Sequence, residues 1–165
     1  MDALGIGDGS VVADLGAGAG WFTIRLARRV GPNGVVYAED VQRQMIQSIE
    51  QRVQREGLAN VRTVLGTALD PRLPDGSLDA VLIVDTYHEM EQPVALLKNL
   101  ARDLKPDGRI GIVDFTREGG GPGPDMAERV DPERIIRDAT AAGLALRSRE
   151  TFLRFQYMLV FGRAR

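Results

Sequence analysis

Short apolar runs alternate along this chain with longer stretches whose apolar residues recur every three or four positions. Val11-Val12-Ala13, closed by Asp14 and Leu15, is too short for a helix and reads as a buried strand. Trp21 to Val30 has apolar residues at helical spacing, and Gly31-Pro32-Asn33-Gly34 stops it. Val35 to Ala38 is a second strand, ending at Glu39-Asp40. Val41 to Glu56 predicts a helix with Val41, Met45, Ile49 and Val53 on one face and Gly57 as its stop. Val61 to Leu65 is a third strand, and Gly66 to Ser77, with Pro71, Pro74 and Gly76, is a loop.

The second half repeats the alternation. Leu78 to Asp85 is an apolar strand that again ends in an acid. Pro93 opens a helix through Leu104, with Val94, Leu97, Leu100, Ala101 and Leu104 facing inward. Lys105-Pro106-Asp107-Gly108 reads as a turn into a fifth strand, Arg109 to Asp114. Glu118 to Pro124 is a glycine-rich flexible loop, and Pro132 to Ala142 is the last helix. Leu144 to Arg163 has high strand propensity and divides into two strands near Leu153-Arg154-Phe155. Strands alternating with helices predict an α/β fold, a doubly wound, mostly parallel sheet of seven strands with right-handed crossovers. The last pair has too short a connection for a crossover, so it predicts a C-terminal antiparallel hairpin.

Composition narrows the chemistry. The 165 residues, 44% hydrophobic and 27% charged, suit a single domain over 1–165 with a substantial core. No apolar run is long enough for a bilayer, and the start lacks the basic-then-apolar pattern of a signal peptide. A cytoplasmic protein without a membrane partner is the expectation. A net charge of −2 supplies no general attraction to nucleic acid. The absence of cysteine and the presence of one histidine exclude disulfides, zinc–thiolate sites, thiol nucleophiles and multi-histidine metal sites, so no metal is expected.

The stretch from Val11 to Gly20 holds the sharpest signal. Glycines at 16, 18 and 20 let the backbone turn tightly and let a ligand lie against bare peptide groups. The helix behind them offers free N–H donors. A dinucleotide fingerprint needs G-x-G-x-x-G, and Trp21 holds the place of its third glycine, where an indole would obstruct close helix–strand contact. No Gly-Lys-Ser/Thr follows, so the P-loop fails as well. Ligands of open α/β sheets sit at the carboxyl ends of strands, and Asp14, Asp40, Asp85 and Asp114 all lie there. Each is also a natural helix cap or turn former.

Asp14-Leu15-Gly16-Ala17-Gly18-Ala19-Gly20 resembles motif I of the class I S-adenosylmethionine (SAM)-dependent methyltransferases, an acid followed by G-x-G-x-G. Asp40-Val41-Gln42-Arg43-Gln44-Met45 is similar to the family's segment after strand two, whose acid holds the ribose hydroxyls. Glu39 stands where the family usually has an apolar residue, which leaves the ribose acid open between Glu39 and Asp40. Gly66-Thr67-Ala68 occupies the place of the family's Gly-Asp-Ala, beside the adenine, with a hydroxyl in place of the charged acceptor. Asp85 to Met90 resembles the segment that faces the methyl group in small-molecule members of the type 11/25 kind, and Lys105 to Ile110 resembles the turn before strand five.

The resemblance covers nearly all of the chain from Val11 onward. It implies a Rossmann-like fold distinguished by its terminal hairpin, and SAM as cofactor with S-adenosylhomocysteine (SAH) as product. The cofactor contacts it implies are Asp14, Gly16, Ala17, Gly18, Gly20, Glu39, Asp40, Val41, Met45, Thr67, Ala68 and Asp85. It further implies methyl transfer by in-line displacement to a small-molecule acceptor, in a monomer or homodimer. An N-terminal lid, usual in the family, is short or missing from these residues. His88, the one imidazole, is the candidate general base, with Asp85 beside it. A hydrogen-bonded spacer is the competing reading of His88. The rival functions are a module that binds SAM without transfer and a nicotinamide oxidoreductase, the latter opposed by the glycine spacing and the hairpin.

Overall fold

The computed structural model describes residues 1–165. Its strands are β1 (Val11–Leu15), β2 (Val35–Asp40), β3 (Val61–Leu65), β4 (Leu78–Val84), β5 (Leu104–Phe115), β6 (Leu144–Glu150) and β7 (Gln156–Arg163). They form one sheet in the order β3-β2-β1-β4-β5-β7-β6. β7 runs antiparallel to both β5 and β6, and every other pairing is parallel, so the terminal hairpin is present as the sequence implies. The helices are α1 (Trp21–Val30), α2 (Arg43–Arg55), α3 (Pro93–Asp103) and α4 (Pro132–Ala141). None is long and apolar enough to cross a membrane.

Successive residues of a strand point to opposite faces, so each central strand feeds two apolar layers. Ala13, Leu15, Val81, Ile83, Ile110 and Ile112 meet Leu97 and Leu100 of α3 and Ile135 and Ala139 of α4. Val12, Val36, Ala80 and Leu82 meet Leu26, Ala27 and Val30 of α1 on the other face. The chain lays β2 and β3 on one side of β1, then crosses to place β4 on the other. The strand order therefore reverses between β1 and β4, and a crevice opens there at the strands' carboxyl ends.

Four local expectations change in the folded chain, and the first residues add an element that the pattern does not predict. Residues Asp2–Leu4 form a single 3₁₀ turn, and Leu4 and Ile6 are buried in the second apolar layer. A Cβ on Gly111 would lie 2.9 Å from Leu4 Cδ1, so this glycine makes room for the N-terminal segment on the sheet. α2 begins at Arg43, not Val41, and Val41 is 55% exposed; Ile49 is the helix's one fully covered residue. Lys105 to Gly108 is not a free turn but an irregularity within β5, where pairing steps from Leu78↔Leu104 to Ala80↔Arg109. Trp21 is 58% exposed and stacks on the Arg25 guanidinium, so the indole obstructs nothing between α1 and β1. The glycine-rich loop after β5 closes around buried Arg129, which donates to the carbonyls of Pro124 and Thr116 and sits over the Phe115 ring.

Leu4→Ala should cost about 2–4 kcal/mol in urea-induced unfolding with an unchanged m-value, as for a buried leucine. A loose terminal tail would move stability by less than about 0.5 kcal/mol.

Candidate cofactor site

The loop between β1 and α1 reverses direction through three left-handed glycines, Gly16 (φ 68°), Gly18 (φ 57°) and Gly20 (φ 86°). A side chain at 16 would also meet Thr86, whose Oγ1 lies 2.6 Å from the position of a Cβ. The carboxyl end of β2 clamps this loop. Ala17 N–H donates to the Glu39 carbonyl at 2.8 Å, and Gly18 N–H donates to Asp40 Oδ2 at 3.0 Å. Gly16 N–H donates to Glu39 Oε2 at 3.3 Å. The other oxygen of Asp40 accepts from Gln42 N–H at 2.9 Å, which fixes the carboxylate plane at the start of α2.

Beneath the loop lies a cavity of about 730 Å³ at the switch point, large enough for a nucleoside-sized ligand. Gly16, Ala17, Gly18, Glu39, Asp40, Val41, Met45, Thr67, Ala68 and Asp85 line it. Val41 does so because it lies outside α2 and its side chain is free of the core. Asp14, Gly20 and His88 do not line the cavity. Asp14 is buried behind the loop, where it accepts from Thr23 Oγ1 at 2.7 Å and ties β1 to α1. Gly20 is the N-cap of α1. The Thr67 hydroxyl is engaged in its own turn: it donates to the Asp70 carbonyl and accepts from the N–H groups of Leu69 and Asp70.

Sequence reasoning missed Gln42, Thr86, Glu89, Met90, Glu91 and Leu96 on the cavity wall. Four of them lie in or next to the stretch from Asp85 to Met90. That proximity was the available signal, but a loop's wall-facing positions follow no period.

The charge of the wall is one-sided. Glu39, Asp40, Asp85, Glu89 and Glu91 line the cavity, and no lysine, arginine or histidine does. Burial away from water pushes the Glu39 carboxyl up to about 8, against the Gly16 hydrogen bond, with Asp40 and Asp14 adding repulsion. Burial likewise raises Asp14 to about 6, opposed by the Thr23 hydrogen bond. Such a wall favours a cation and disfavours a pyrophosphate.

At the far side of the cavity β4 leads into Asp85, a non-glycine residue at φ 53°, a strained conformation of the kind that accumulates at functional sites. Gln156 of β7 donates to Asp85 Oδ1 at 2.6 Å. Burial raises the Asp85 pKa, the Gln156 bond lowers it, and nearby Asp114 raises it. His88 turns away from the cavity: its Nδ1 lies 3.1 Å from Oδ1 of fully buried Asp114, and its side chain is 10% exposed. Its backbone N–H donates to Asp114 Oδ2 at 3.2 Å, so one carboxylate holds both the ring and the turn. Nε2 lies 3.9 Å from Glu89 Oε1 at the cavity rim.

The chain is similar to known proteins over most of its length. The family model described as a methyltransferase domain matches residues 12–108. Demethylmenaquinone methyltransferase of Geobacillus sp. (strain WCH70) is 34% identical over 117 residues, 71% of this chain and 50% of that protein. Nocamycin O-methyltransferase of Saccharothrix syringae is 34% identical over 131 residues, 78% of this chain and 45% of that protein. The chain thus spans about half the length of the curated relatives it matches. A SAM-dependent methyltransferase from Aquifex aeolicus has a crystal structure that superposes with a TM-score of 0.92 at 28% identity. That superposition covers 97% of this chain and 85% of the other.

The raised Glu39 carboxyl makes stability depend on pH. Between its ordinary value of 4.5 and about 8 the folded chain holds a proton that the unfolded chain has released. Stability of the cofactor-free protein should therefore fall as pH rises through this window, by at most about 1.4 kcal/mol per pH unit. Glu39→Gln should unfold at nearly the wild-type temperature at pH 5 and at a higher one at pH 8. Asp14 contributes the same sign of slope below about pH 6 in both proteins, and it cancels from the difference.

Proposed function

The chain belongs to the SAM-dependent methyltransferase family, and we propose that it transfers a methyl group from SAM to a small-molecule acceptor by in-line displacement. One observation carries the proposal. The left-handed glycine loop, the doubly bonded Asp40 carboxylate and a cavity whose charged side chains are all acidic come together at one switch point. The cofactor is a nucleoside with a sulfonium and an ammonium group, and no phosphate. The acidic wall suits that chemistry and opposes NAD, whose pyrophosphate would meet no basic side chain and a loop whose N–H groups at 16, 17 and 18 are already taken by Glu39 and Asp40.

When bound, SAM supplies a methyl carbon made electrophilic by its sulfonium. The chain's own task is binding, orientation and the exclusion of water. Asp40 receives the ribose hydroxyls: each of its oxygens accepts one backbone N–H and keeps further acceptor capacity. Its position on β2, clamped to the glycine loop, favours it over Glu39, which is turned toward Gly16 and Gly66. Asp14 and Gly20 act from behind by holding the loop's shape, while Val41, Met45, Thr67 and Ala68 supply the walls of the nucleoside pocket.

Where the acceptor is a hydroxyl, His88 is the proposed base. Donation of Nδ1–H to Asp114 leaves the Nε2 lone pair to take the proton, at the rim next to Glu89 and Asp85. The competing reading is a module that binds SAM without transferring its methyl group. The observation that favours it is the position of His88 off the cavity wall. A relative named demethylmenaquinone methyltransferase and one named nocamycin O-methyltransferase match at the same identity, so the acceptor class is taken no further than a small molecule. One domain over residues 1–165, a cytoplasmic setting and a monomer or homodimer belong to the same proposal.

SAH should bind with one site per chain in calorimetry, and NAD should not bind. Asp40→Ala should weaken SAH by about 1.5–3 kcal/mol, the range for hydrogen bonds to a charged group. Normal binding by Asp40→Ala with loss in Glu39→Ala would reassign the ribose to Glu39. For catalysis, His88→Ala should leave SAH affinity nearly unchanged while the single-turnover rate, measured with an accepted hydroxyl substrate, falls about 10²–10⁴-fold. A joint loss of thermal stability, affinity and turnover would assign His88 and Asp114 to structure alone. If no member of an acceptor panel yields product while SAH binds, the module reading stands in place of the enzyme.

A further inference from the structure

Four arginines gather at the edge of the sheet opposite the cofactor cavity. Arg109 enters from β5, Arg147 from β6, and Arg163 and Arg165 from the end of β7 and beyond it; together with Asp107 they line a concavity of about 330 Å³. No carboxylate lies within 4.0 Å of any of the four guanidinium groups, although most basic side chains near them are paired. Lys105 is held by Asp79, Arg102 by Asp75 and Arg149 by Glu133. Asp107 is the one acidic side chain on the concavity, so the side chains of its wall are positive in sum in a chain whose net charge is −2.

The backbone is shaped to bring these groups together. The pairing of β6 with β7 steps from Leu146↔Phe161 to Ser148↔Val160, which makes Arg147 the extra residue of a bulge. Bulges re-aim a side chain, and this one sends Arg147 over Gly162. A Cβ on Gly162 would lie 3.0 Å from Arg147 Nε and 3.3 Å from Arg109 Nη1, so two guanidinium groups from different strands converge above a residue with no side chain. Arg147 Nη2 donates to the Arg163 carbonyl at 2.7 Å. Arg163 is anchored through Nη2 to the carbonyls of Arg102 and Leu104, and its buried Nε has no acceptor in the protein. The irregularity at Lys105–Gly108 sets the start of the Arg109 pairing on the same edge. Like charges held together by backbone contacts and left without counter-charge are arranged for an anion.

We propose that this concavity is a second ligand site, one that binds a phosphate-type oxyanion through Arg109, Arg147, Arg163 and Arg165. Guanidinium forks approaching from several directions suit a tetrahedral anion with several acceptor oxygens better than a single carboxylate. The site lies a strand's length, about 20 Å, from the cofactor cavity, so one small ligand cannot span both. The anion is therefore an effector or an anchor and not the methyl acceptor. Its source is a free phosphate ester or the headgroup of an anionic phospholipid.

The test follows the arginine Nε–Hε signals of the full chain by nuclear magnetic resonance during titration with inorganic phosphate, against chloride at matched ionic strength. Saturable shifts confined to Arg109, Arg147, Arg163 and Arg165 are expected with phosphate alone. Arg109→Ala and Arg147→Ala should each weaken that response by about tenfold or more, with SAH affinity unchanged. In a second arm the protein is sedimented with vesicles of phosphatidylglycerol or of phosphatidylcholine. Capture by the first alone, lost in the same two variants, assigns the anion to a lipid headgroup, and a phosphate response without capture assigns it to a free ester. Shifts that match chloride together with no vesicle capture overturn the proposal, as does binding that survives both substitutions.

Discussion

The clamp between the glycine loop and the carboxyl end of β2 is the constraint on which the site depends. Three left-handed residues in five positions are tolerable only as glycine, and such a loop has little reason of its own to hold one shape. Its N–H groups are taken up by Glu39 and Asp40, so β2 dictates where the loop lies. The same bonds orient Asp40 toward the cavity. Asp14 and Thr23 fasten the other end of the loop to α1. Carboxylates that hold the loop thus also line the cavity, in Glu39 and Asp40.

That economy has an electrostatic consequence. Asp14, Glu39 and Asp40 lie near one another with no basic side chain on the cavity wall to offset them. The empty protein meets this by keeping a proton on Glu39 through neutral pH. A positively charged ligand relieves the same repulsion. The destabilisation of the free protein and the preference for a cation are therefore two expressions of one charge arrangement.

The opposite side of the cavity is built differently. There β4 leads into strained Asp85, pinned by Gln156 from β7, and Asp114 at the end of β5 holds both the ring and the backbone of His88. Three strands adjacent in the sheet but far apart in the chain supply these groups. The antiparallel hairpin contributes directly, because Gln156 reaches Asp85 only when β7 lies beside β5. The hairpin is therefore part of the site's frame and not merely a closure of the sheet.

The sequence alone determined the order of the elements and the glycine loop beside the end of β2. Apolar periodicity and glycine spacing are local properties, and Gly16, Gly18 and Asp40 lie within one strand–loop–helix–strand unit. What tertiary structure decided is which side chains face the cavity and which face one another. Val41 belongs to the pocket because α2 starts two residues later than its pattern suggests. Trp21 points to solvent, so it does not obstruct the helix–strand contact that its place in the glycine spacing suggests. His88 turns to Asp114 instead of the cavity, and Thr67 to its own turn, because each finds its hydrogen-bond partner in the folded chain. Arg109, Arg147 and Arg163 meet only through strand pairing and a bulge, and no spacing along the chain reports such an encounter. Local pattern selects the element, while orientation is set by partners that the chain brings close only on folding.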